Sequence, residues 1–232
     1  MFYIEKFSRN QFTKNQQNLI RKTNFALVGL GGTGGFIFEN LLRLGAENFI
    51  LFDHDSFELS NFNRQVLATD DTLDKAKIDV ACAHAKLINK NVKIKKFHKF
   101  GHTSSLIHAD IVLDGADNIV TKTTLARIAR KSKIPYIFCS ANSSRGIVTI
   151  FTNYKFETAF QVKECDCCEQ QYQHNSKPKT CSSILCPAAA LAGTLAASQA
   201  ICYLLKKPYV KAPDALFFDL FEKNIFWRKK LG

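Results

Sequence analysis

A short apolar segment, a glycine-rich loop and a helical segment, followed by a second apolar segment that ends at an aspartate, constrain the fold most strongly. Residues 25–29 form an apolar run that ends in glycine, which predicts a buried strand. Apolar side chains recur at helical spacing in residues 33–44, and Gly45 ends this helix as a C-cap. Residues 48–52 predict a second strand, closed by Asp53. This order predicts a strand–helix–strand unit of about thirty residues.

The loop between the first strand and its helix has the composition of a phosphate-binding loop. Its glycines are Gly29, Gly31, Gly32 and Gly34. Glycine lets the backbone come close to phosphate, and a helix N-terminus offers free N–H groups and a partial positive charge. Asp53 is placed where a carboxylate accepts hydrogen bonds from ribose hydroxyls. The pattern predicts a nucleotide site, but many dehydrogenases share it, and a tight structural turn is the alternative.

Strands and helices continue to alternate after this unit. Helices are predicted at residues 74–88 and 119–131, and strands at residues 92–97, 111–114 and 136–140. The alternation predicts an α/β fold with a Rossmann-like, doubly wound and mostly parallel sheet.

The pattern changes after residue 140. A β-rich run at 145–152 has no helix directly after it, and residues 163–186 are polar, Cys-rich and non-periodic. Such a long crossover loop is rarely passive in a compact domain. A helix at 187–205 and strands at 215–220 and 224–228 complete the chain. We expect one domain over residues 1–232, made of an N-terminal helical arm (1–24), a nucleotide-binding core (25–140) and a β-rich C-terminal part (141–232).

A group of polar residues after Asp53 favours binding of a triphosphate. The motif reads Ser60-Asn61-Phe62-Asn63-Arg64-Gln65, and Lys77 follows it. Arg64 is a planar, permanently charged donor that suits bidentate phosphate contacts, whereas Lys77 is a point charge on a flexible stem. Asn61 adds a neutral amide donor. Two cations so close in sequence neutralise a triphosphate and its departing pyrophosphate, so this group favours nucleotidyl transfer over hydride transfer.

An acidic residue near the end of a later strand predicts a magnesium ligand. Asp117 follows the predicted strand at 111–114, and Asn118 is placed to orient it. Mg²⁺ is usually bound through one or two carboxylate oxygens together with substrate phosphates. We therefore expect Asp117 to hold Mg²⁺ beside the nucleotide.

Charge and hydropathy limit the location and the partners of this chain. Its formal charge is +12. The two interpretations of this charge are a solvated surface and an acidic partner, either a small acidic protein or RNA. No apolar run reaches the roughly 18 residues of a membrane span, and the N-terminus lacks an apolar signal core. We expect a cytoplasmic protein without a membrane partner. The lysines without a nearby acidic residue are Lys86, Lys90, Lys93, Lys95, Lys96 and Lys99.

The cysteines are clustered in a way that favours metal binding or thiol chemistry over disulfides. Five of the eight fall between residues 165 and 186. Cys165 and Cys168 form a Cys-x-x-Cys pair, and Cys181 and Cys186 follow in the same loop. Without a secretory signal, local clustering of this kind is typical of an intracellular metal or thiol site.

These motifs together resemble the ThiF/MoeB/HesA family, the bacterial relatives of ubiquitin-activating enzymes. The resemblance covers nearly the whole chain. The family's Gly-x-Gly-Gly-x-Gly loop matches Gly29 to Gly34, and its Ser-Asn-x-x-Arg-Gln motif matches Ser60 to Gln65. The lysine of the family falls on Lys77, and its Asp-Asn pair falls on Asp117 and Asn118. The Ser-Asn-x-x-Arg-Gln motif is highly specific, whereas the glycine loop is not.

The resemblance implies an ATP-dependent adenylyltransferase. In the family, ATP adenylylates the C-terminal glycine carboxylate of a ubiquitin-like protein, here a sulfur carrier that ends in Gly-Gly and binds to the β-rich part. An arginine from a partner subunit reaches the phosphates, which nominates Arg9 and implies a homodimer. Some relatives act on a carboxylate of tRNA or of a peptide, so these substrates stay open as alternatives. A non-catalytic, ATP-binding partner of a homologous enzyme is a third interpretation.

The chain departs from the family in two places. Family members often hold a structural Zn²⁺ with one Cys-x-x-Cys pair and a second pair near the C-terminus, which is not found before Gly232. Either zinc is lost, or the chain is shortened, or Cys181 and Cys186 complete a site with Cys165 and Cys168. In several relatives a loop cysteine forms a thioester or persulfide, for which Cys181 and Cys186 are both candidates. Lys122 stands where relatives usually carry arginine.

Overall fold

The computed structural model describes residues 5–100, 106, 108–162 and 183–232. Its helices are α1 (Lys14–Lys22), α2 (Gly32–Arg43), α3 (Lys77–Ile88), α4 (Ile119–Lys131), α5 (Phe156–Phe160) and α6 (Cys186–Leu204). Its strands are β1 (Asn24–Val28), β2 (Asn48–Phe52), β3 (Lys93–Phe97), β4 (Ile111–Asp114), β5 (Tyr136–Asn142), β6 (Arg145–Phe151), β7 (Asp214–Asp219) and β8 (Phe226–Lys230).

The strands form one sheet whose central part is parallel. The strand order is β3-β2-β1-β4-β5-β6-β7-β8. The five strands from β3 to β5 are parallel, whereas β6, β7 and β8 pair antiparallel to their neighbours. This arrangement confirms the predicted α/β fold with a mostly parallel, doubly wound sheet and a C-terminal β-rich extension. The order reverses between β1 and β4, and a crevice opens at such a point at the carboxyl ends of the strands.

The central strands are buried because helices cover both faces of the sheet. Every residue of β4 and all but the first residue of β1 and β2 are buried. One apolar cluster lies between the sheet and the helices α2, α3 and α6, and a second lies on the opposite face with α4 and α5. Continuous apolar runs of this kind are typical of parallel strands buried on both faces.

Helix α6 is the one described helix that is long and apolar enough to cross a membrane by length and composition alone. Its buried residues are mainly alanines, and it packs against α2, β5 and β6. Close approach of the helices depends on Gly193, because a Cβ there would meet the carbonyl oxygen of Thr33 within 3.0 Å. Packing inside the domain therefore accounts for the apolar character of α6.

Helix α3 begins later than predicted, and α5 was not predicted. The helix predicted at 74–88 begins at Lys77, because Asp74 adopts a positive φ of 63° and interrupts the helical path. A short helix, α5, follows β6, where the sequence predicted none. It forms because Phe156 packs into an aromatic cluster with Phe138 and Phe151, while Glu157 accepts hydrogen bonds from two arginines of α4.

The turn between β5 and β6 fixes the start of helix α6 relative to the sheet. Ser143 accepts a hydrogen bond from the N–H of Leu185 and donates its own N–H to the carbonyl of Ser183. Asp219 holds the turn from the other side, since it accepts hydrogen bonds from Ser144 at 2.7 Å and Arg145 at 2.7 Å. These donors lower the pKa of Asp219 to about 2. The turn thereby places residues 183–185 beside the carboxyl ends of the strands.

Candidate functional site

The glycine loop lies at the carboxyl end of β1, next to the point where the strand order reverses. Gly31 occupies the N-cap of α2, and the helix begins at Gly32. Gly29 has a φ of 89°, a conformation that other residues rarely adopt. A Cβ at Gly34 or at Gly115 would lie within 3.0 Å of the backbone of Gly29. The loop after β4 therefore packs directly on the glycine loop, with no room for side chains between them.

Asp53 connects the glycine loop with the segment that follows β2. Its carboxylate accepts a hydrogen bond from the N–H of Leu30 at 2.6 Å and another from the N–H of Asp55 at 2.9 Å. Burial raises the pKa of Asp53, and the two backbone donors oppose that rise. Two acceptor positions of the carboxylate remain for a ligand, since an ionised carboxylate offers about four. Asp53 thus lies at the carboxyl end of β2 beside the glycine loop, and its contact with a ribose remains a prediction.

Lys77 is the most deeply buried cation of the predicted site. Only 5% of the residue is exposed, and its Nζ lies 3.0 Å from Oδ2 of Asp55. The backbone holds the same pair, because the N–H of Lys77 donates to the carbonyl of Asp55 at 2.9 Å. A continuous chain of contacts therefore leads from Leu30 through Asp53 and Asp55 to the Lys77 ammonium.

The motif from Ser60 to Gln65 begins in a 3₁₀ turn, Leu59–Asn61, and then packs on the start of α2. Asn61 is buried and uses its Oδ1 to accept the N–H of Glu58 at 3.2 Å, so this side chain also holds the turn. The stem of Arg64 lies beside Gly32, where a Cβ would come within 3.5 Å of Arg64 Cγ. The turn therefore places the stem of Arg64 beside the first residue of α2.

The guanidinium of Arg64 is held by acceptors of its own motif. Its Nη1 donates to the carbonyl of Ser60 at 2.8 Å and to Oδ1 of Asn63 at 2.8 Å. Asn63 in turn donates to the carbonyl of Ile184 at 3.3 Å. This contact ties the motif to the segment in front of α6. Ser60, Asn63 and Arg64 therefore lie together beside Gly32.

Gln65 presents a polar atom that lacks a partner within the described part of the chain. The residue is 6% exposed, and its Oε1 is buried without a hydrogen-bond partner there. Its other amide atom, Nε2, would lie 3.8 Å from a Cβ at Gly31. An unsatisfied buried amide is costly, so its position beside the glycine loop fits a group that a ligand satisfies.

Asp117 and Asn118 lie at the start of α4, beside the glycine loop. Asn118 is the N-cap of α4 and accepts the N–H of Thr121 at 2.8 Å, while its Nδ2 donates to Oδ1 of Asp117 at 3.1 Å. The Asp117 carboxylate is exposed. Among the described residues, no three His, Cys, Asp or Glu side chains are grouped to hold a metal alone. An exposed carboxylate held in this way is of the kind that binds Mg²⁺ together with nucleotide phosphates, and this role of Asp117 remains a prediction.

Arg9 is not brought to the glycine loop of its own chain. It is exposed, and the next residue, Asn10, donates to the carbonyl of Leu44 at 3.3 Å. Leu44 follows the C-terminal end of α2, whereas the glycine loop is at the N-terminal end, about 18 Å away for a helix of this length. Within one chain, Arg9 and the other predicted site residues are therefore apart.

The cysteine predictions fall mostly outside the described residues. Cys165, Cys168 and Cys181 belong to residues 163–182, which the structure does not describe. Cys186 is the first residue of α6 and is exposed, one residue before the predicted helix start. It lies two residues after Ile184, whose carbonyl accepts a hydrogen bond from Asn63 of the Ser60–Gln65 motif. The zinc site and the covalent role of a cysteine remain predictions.

Two residues of this site were missed by the sequence analysis. Asp55 forms the ion pair with Lys77. The sequence feature that could have identified it is its position two residues after Asp53. Gly115 packs on Gly29. The sequence feature that could have identified it is a glycine directly after a predicted buried strand. Both positions become recognisable only when β1, β2 and β4 are placed side by side.

Comparison with known proteins places this chain among adenylyltransferases. The molybdopterin-synthase adenylyltransferase of Haemophilus influenzae is 28% identical over 213 residues, which cover 90% of this chain and 86% of that protein. The sulfur carrier protein ThiS adenylyltransferase of Escherichia coli K12 is 25% identical over 232 residues, covering 98% and 89%. The tRNA threonylcarbamoyladenosine dehydratase of Haemophilus influenzae is 30% identical over 131 residues, covering 54% and 50%.

Solved structures show the same architecture. The structure of Escherichia coli MccB with ATP matches with a TM-score of 0.74 at 20% identity, covering 94% of this chain and 66% of that one. At this identity the match shows the fold alone. The family model described as ThiF family matches residues 5–231. The chain therefore belongs to the ThiF family.

Proposed function

We propose that this protein is an ATP-dependent adenylyltransferase that activates the C-terminal glycine carboxylate of a ubiquitin-like sulfur carrier. The contact chain from the glycine loop through Asp53 and Asp55 to the buried Lys77 carries this proposal. It connects the backbone of the glycine loop, a carboxylate and a cation, the kinds of group that a nucleoside triphosphate would contact. Arg64, beside Gly32, adds a second cation at the phosphate end.

Attack by a C-terminal carboxylate requires no general base from the protein. A C-terminal carboxyl group has a pKa of about 3.3–3.7, so it is ionised at neutral pH and needs no general base. One carboxylate oxygen forms a bond to the α-phosphorus, the bond from this phosphorus to the bridging oxygen breaks, and pyrophosphate leaves with the electron pair. The products are an acyl-adenylate and pyrophosphate. Positioning and charge stabilisation by Lys77 and Arg64 are the contributions expected of the protein.

Asp117 is the residue that would hold Mg²⁺ with the bound nucleotide. Mg²⁺ supplies neutralisation of the phosphate charges when it is bound. The chain's own part is to present an exposed carboxylate in one orientation, which the hydrogen bond from Asn118 Nδ2 provides. Zinc at the cysteines, a cytoplasmic location and the absence of a membrane partner remain predictions.

The position of Arg9 supports a composite site in a homodimer. If Arg9 acts on the nucleotide of a second copy, Arg9→Ala and Lys77→Ala each remove one part of every site. After subunit exchange between these two variants, a mixed dimer has one site with both residues intact. We expect a mixture to regain about one quarter of wild-type exchange, since half of the dimers are mixed and each has one complete site of two. Native mass spectrometry would establish that mixed dimers are present, and their presence without recovered exchange would contradict the shared site.

The function is tested by ATP–pyrophosphate exchange with Mg²⁺ and a panel of carriers that end in Gly-Gly. Exchange that depends on the terminal glycine of one carrier is the expected result and names the substrate. A carrier without its last two residues is the matched control. ATP binding without exchange for any carrier would contradict the proposal and leave a peptide or tRNA substrate, or a non-catalytic ATP-binding partner, as the function.

A tRNA carboxylate is the second candidate substrate, and an exposed lysine group favours it. Lys93 and Lys95 lie exposed on β3, the edge strand, and Lys90 and Lys99 are exposed at its two ends. Such lysines also protect a sheet edge from pairing, which is the simpler explanation. Binding of tRNA whose affinity falls steeply with salt, and falls further in a Lys93→Ala, Lys95→Ala double variant, would favour the tRNA substrate.

A further inference from the structure

A buried ion pair lies directly beneath the loop that carries Asp117. Nζ of Lys122 is 2.8 Å from Oδ2 of Asp114, and both residues are almost completely buried. The same ammonium donates to the carbonyl of Cys139 at 3.1 Å and lies 5.1 Å from the ring centre of Phe138. Two hydrogen bonds and one cation–π contact therefore occupy the three N–H groups of Lys122.

A tyrosine completes this buried group. Tyr136 is fully buried and donates its hydroxyl to Oδ2 of Asp114 at 2.6 Å. Burial raises the pKa of Tyr136 well above its usual value, so the hydroxyl remains a donor. The Cys139 thiol contacts the carbonyl of Asp114 at 3.2 Å, and burial raises its pKa to about 12. The Asp114 carboxylate is thus fixed by donors from both α4 and β5.

The second oxygen of Asp114 reaches the loop above. Oδ1 accepts the N–H of Ala116 at 2.9 Å, and Ala116 directly precedes Asp117. Gly115, which lies between Asp114 and Ala116, packs on the backbone of Gly29. Lys122 also belongs to the first turn of α4, where its N–H donates to the carbonyl of Asn118 at 3.2 Å. Residues of the buried group therefore form hydrogen bonds with both ends of the 114–118 loop, through Asp114 at its beginning and through the backbone of Lys122 at its end.

We propose that Asp114, Lys122 and Tyr136 are positioning residues that set the Asp117 carboxylate against the glycine loop and thereby determine how tightly Mg²⁺ binds together with ATP. This inference rests on the proposed function in assigning Asp117 to the metal. An ion pair that only stabilises the fold would leave the Mg²⁺ dependence of nucleotide binding unchanged. The two roles therefore differ in a measurable quantity.

The test compares Mg²⁺-dependent ATP binding in variants that keep the fold. Tyr136→Phe removes one hydrogen bond to Asp114 but keeps the ion pair and the ring. Calorimetric titration with ATP at a series of Mg²⁺ concentrations should show a half-saturating Mg²⁺ concentration raised about five- to tenfold, which corresponds to the net contribution of one typical hydrogen bond. ATP binding in EDTA should stay within about twofold of wild type, because the glycine loop and Lys77 are untouched.

Two further variants separate positioning from stability. Lys122→Arg keeps the charge and should retain a Mg²⁺ dependence closer to wild type than Lys122→Met, which leaves the Asp114 carboxylate buried without its cation. Tyr209→Phe is the matched control, since Tyr209 is half-buried and packs on Tyr203 rather than on Asp114. If Lys122→Met fails to fold, Tyr136→Phe still decides the question. Hydrogen exchange at residues 115–121 should be faster in Tyr136→Phe than in Tyr209→Phe.

The outcome does not depend on finding the carrier. If wild-type protein binds ATP with Mg²⁺ but shows no exchange, the adenylyl transfer is contradicted while the positioning role is still measured. A Tyr136→Phe variant with a lower melting temperature and an unchanged Mg²⁺ dependence would overturn the positioning role. ATP binding by wild type that does not respond to Mg²⁺ would overturn it as well.

Discussion

Replacement of Lys77 by alanine should reduce ATP–pyrophosphate exchange by about a hundred- to a thousandfold, the range observed when one preorganised charge-stabilising donor is removed from an active site. Lys77 is 5% exposed and held by Asp55 at 3.0 Å, so its ammonium is already oriented before a nucleotide arrives. The protein should still fold, because Asp55 is exposed and water can solvate its carboxylate once the lysine is gone. Exchange rates and circular dichroism of the purified variant provide the measurement.

Lys75 offers a control with the same charge two residues away. Its side chain is exposed, and replacement by alanine removes one positive charge from the same region without touching Asp55. Exchange in Lys75→Ala should stay within about twofold of wild type, as expected for a surface substitution. If Lys77→Ala retained exchange at the level of Lys75→Ala, the assignment of Lys77 to the phosphates would be wrong.

Gly34→Ala should destabilise the domain by about 3 kcal/mol or more, because the added methyl overlaps the backbone rather than a flexible side chain. A Cβ at position 34 would lie much less than 3.0 Å from the carbonyl oxygen of Gly29 and would also be close to Gly115. Neither neighbour can move without displacing β1 or the 114–118 loop. The melting temperature should fall by about 10 °C or more, and loss of soluble protein would be the extreme form of the same result.

Gly31→Ala provides the matched control within the same loop. A Cβ there would have Gln65 Nε2 as its nearest neighbour, at an ordinary distance of 3.8 Å. The melting temperature of Gly31→Ala should stay within about 2 °C of wild type, because nothing must move to admit the methyl. Equal melting temperatures for the two variants would show that the packing around Gly34 is looser than the structure indicates.

Most of the fold followed from periodicity and from the positions of glycine. The segments that form β1 and β2 are uninterrupted and apolar, and the helix between them has one apolar face. Two parallel buried strands with this helix packed on the sheet bury the apolar residues of all three elements. Helix α5 was missed because Phe156–Phe160 is too short to show a helical period. It depends on contacts between its aromatic residues and β5 and β6, which are distant in sequence.

The candidate site was predictable where one motif carries several functional atoms. Ser60 to Gln65 is continuous in the chain, so its charge and amide groups are visible together. The partnership of Asp55 with Lys77 joins residues that are separated by the turn at Asp70–Thr72, and it depends on how that turn folds back. The buried contact between Asp114 and Tyr136 arises only because β4 and β5 are neighbours in the sheet.

The mutual packing of Gly29, Gly34 and Gly115 has a consequence for how this sequence can diverge. At each of the three positions, the Cβ of any other residue would overlap the backbone of another of these glycines. We therefore expect every single substitution at these positions to destabilise the fold. Even a paired change has to move main chain rather than exchange one side chain for another. We therefore expect these three positions to remain glycine as the sequence diverges, and changes in substrate preference to arise in the exposed segments around them.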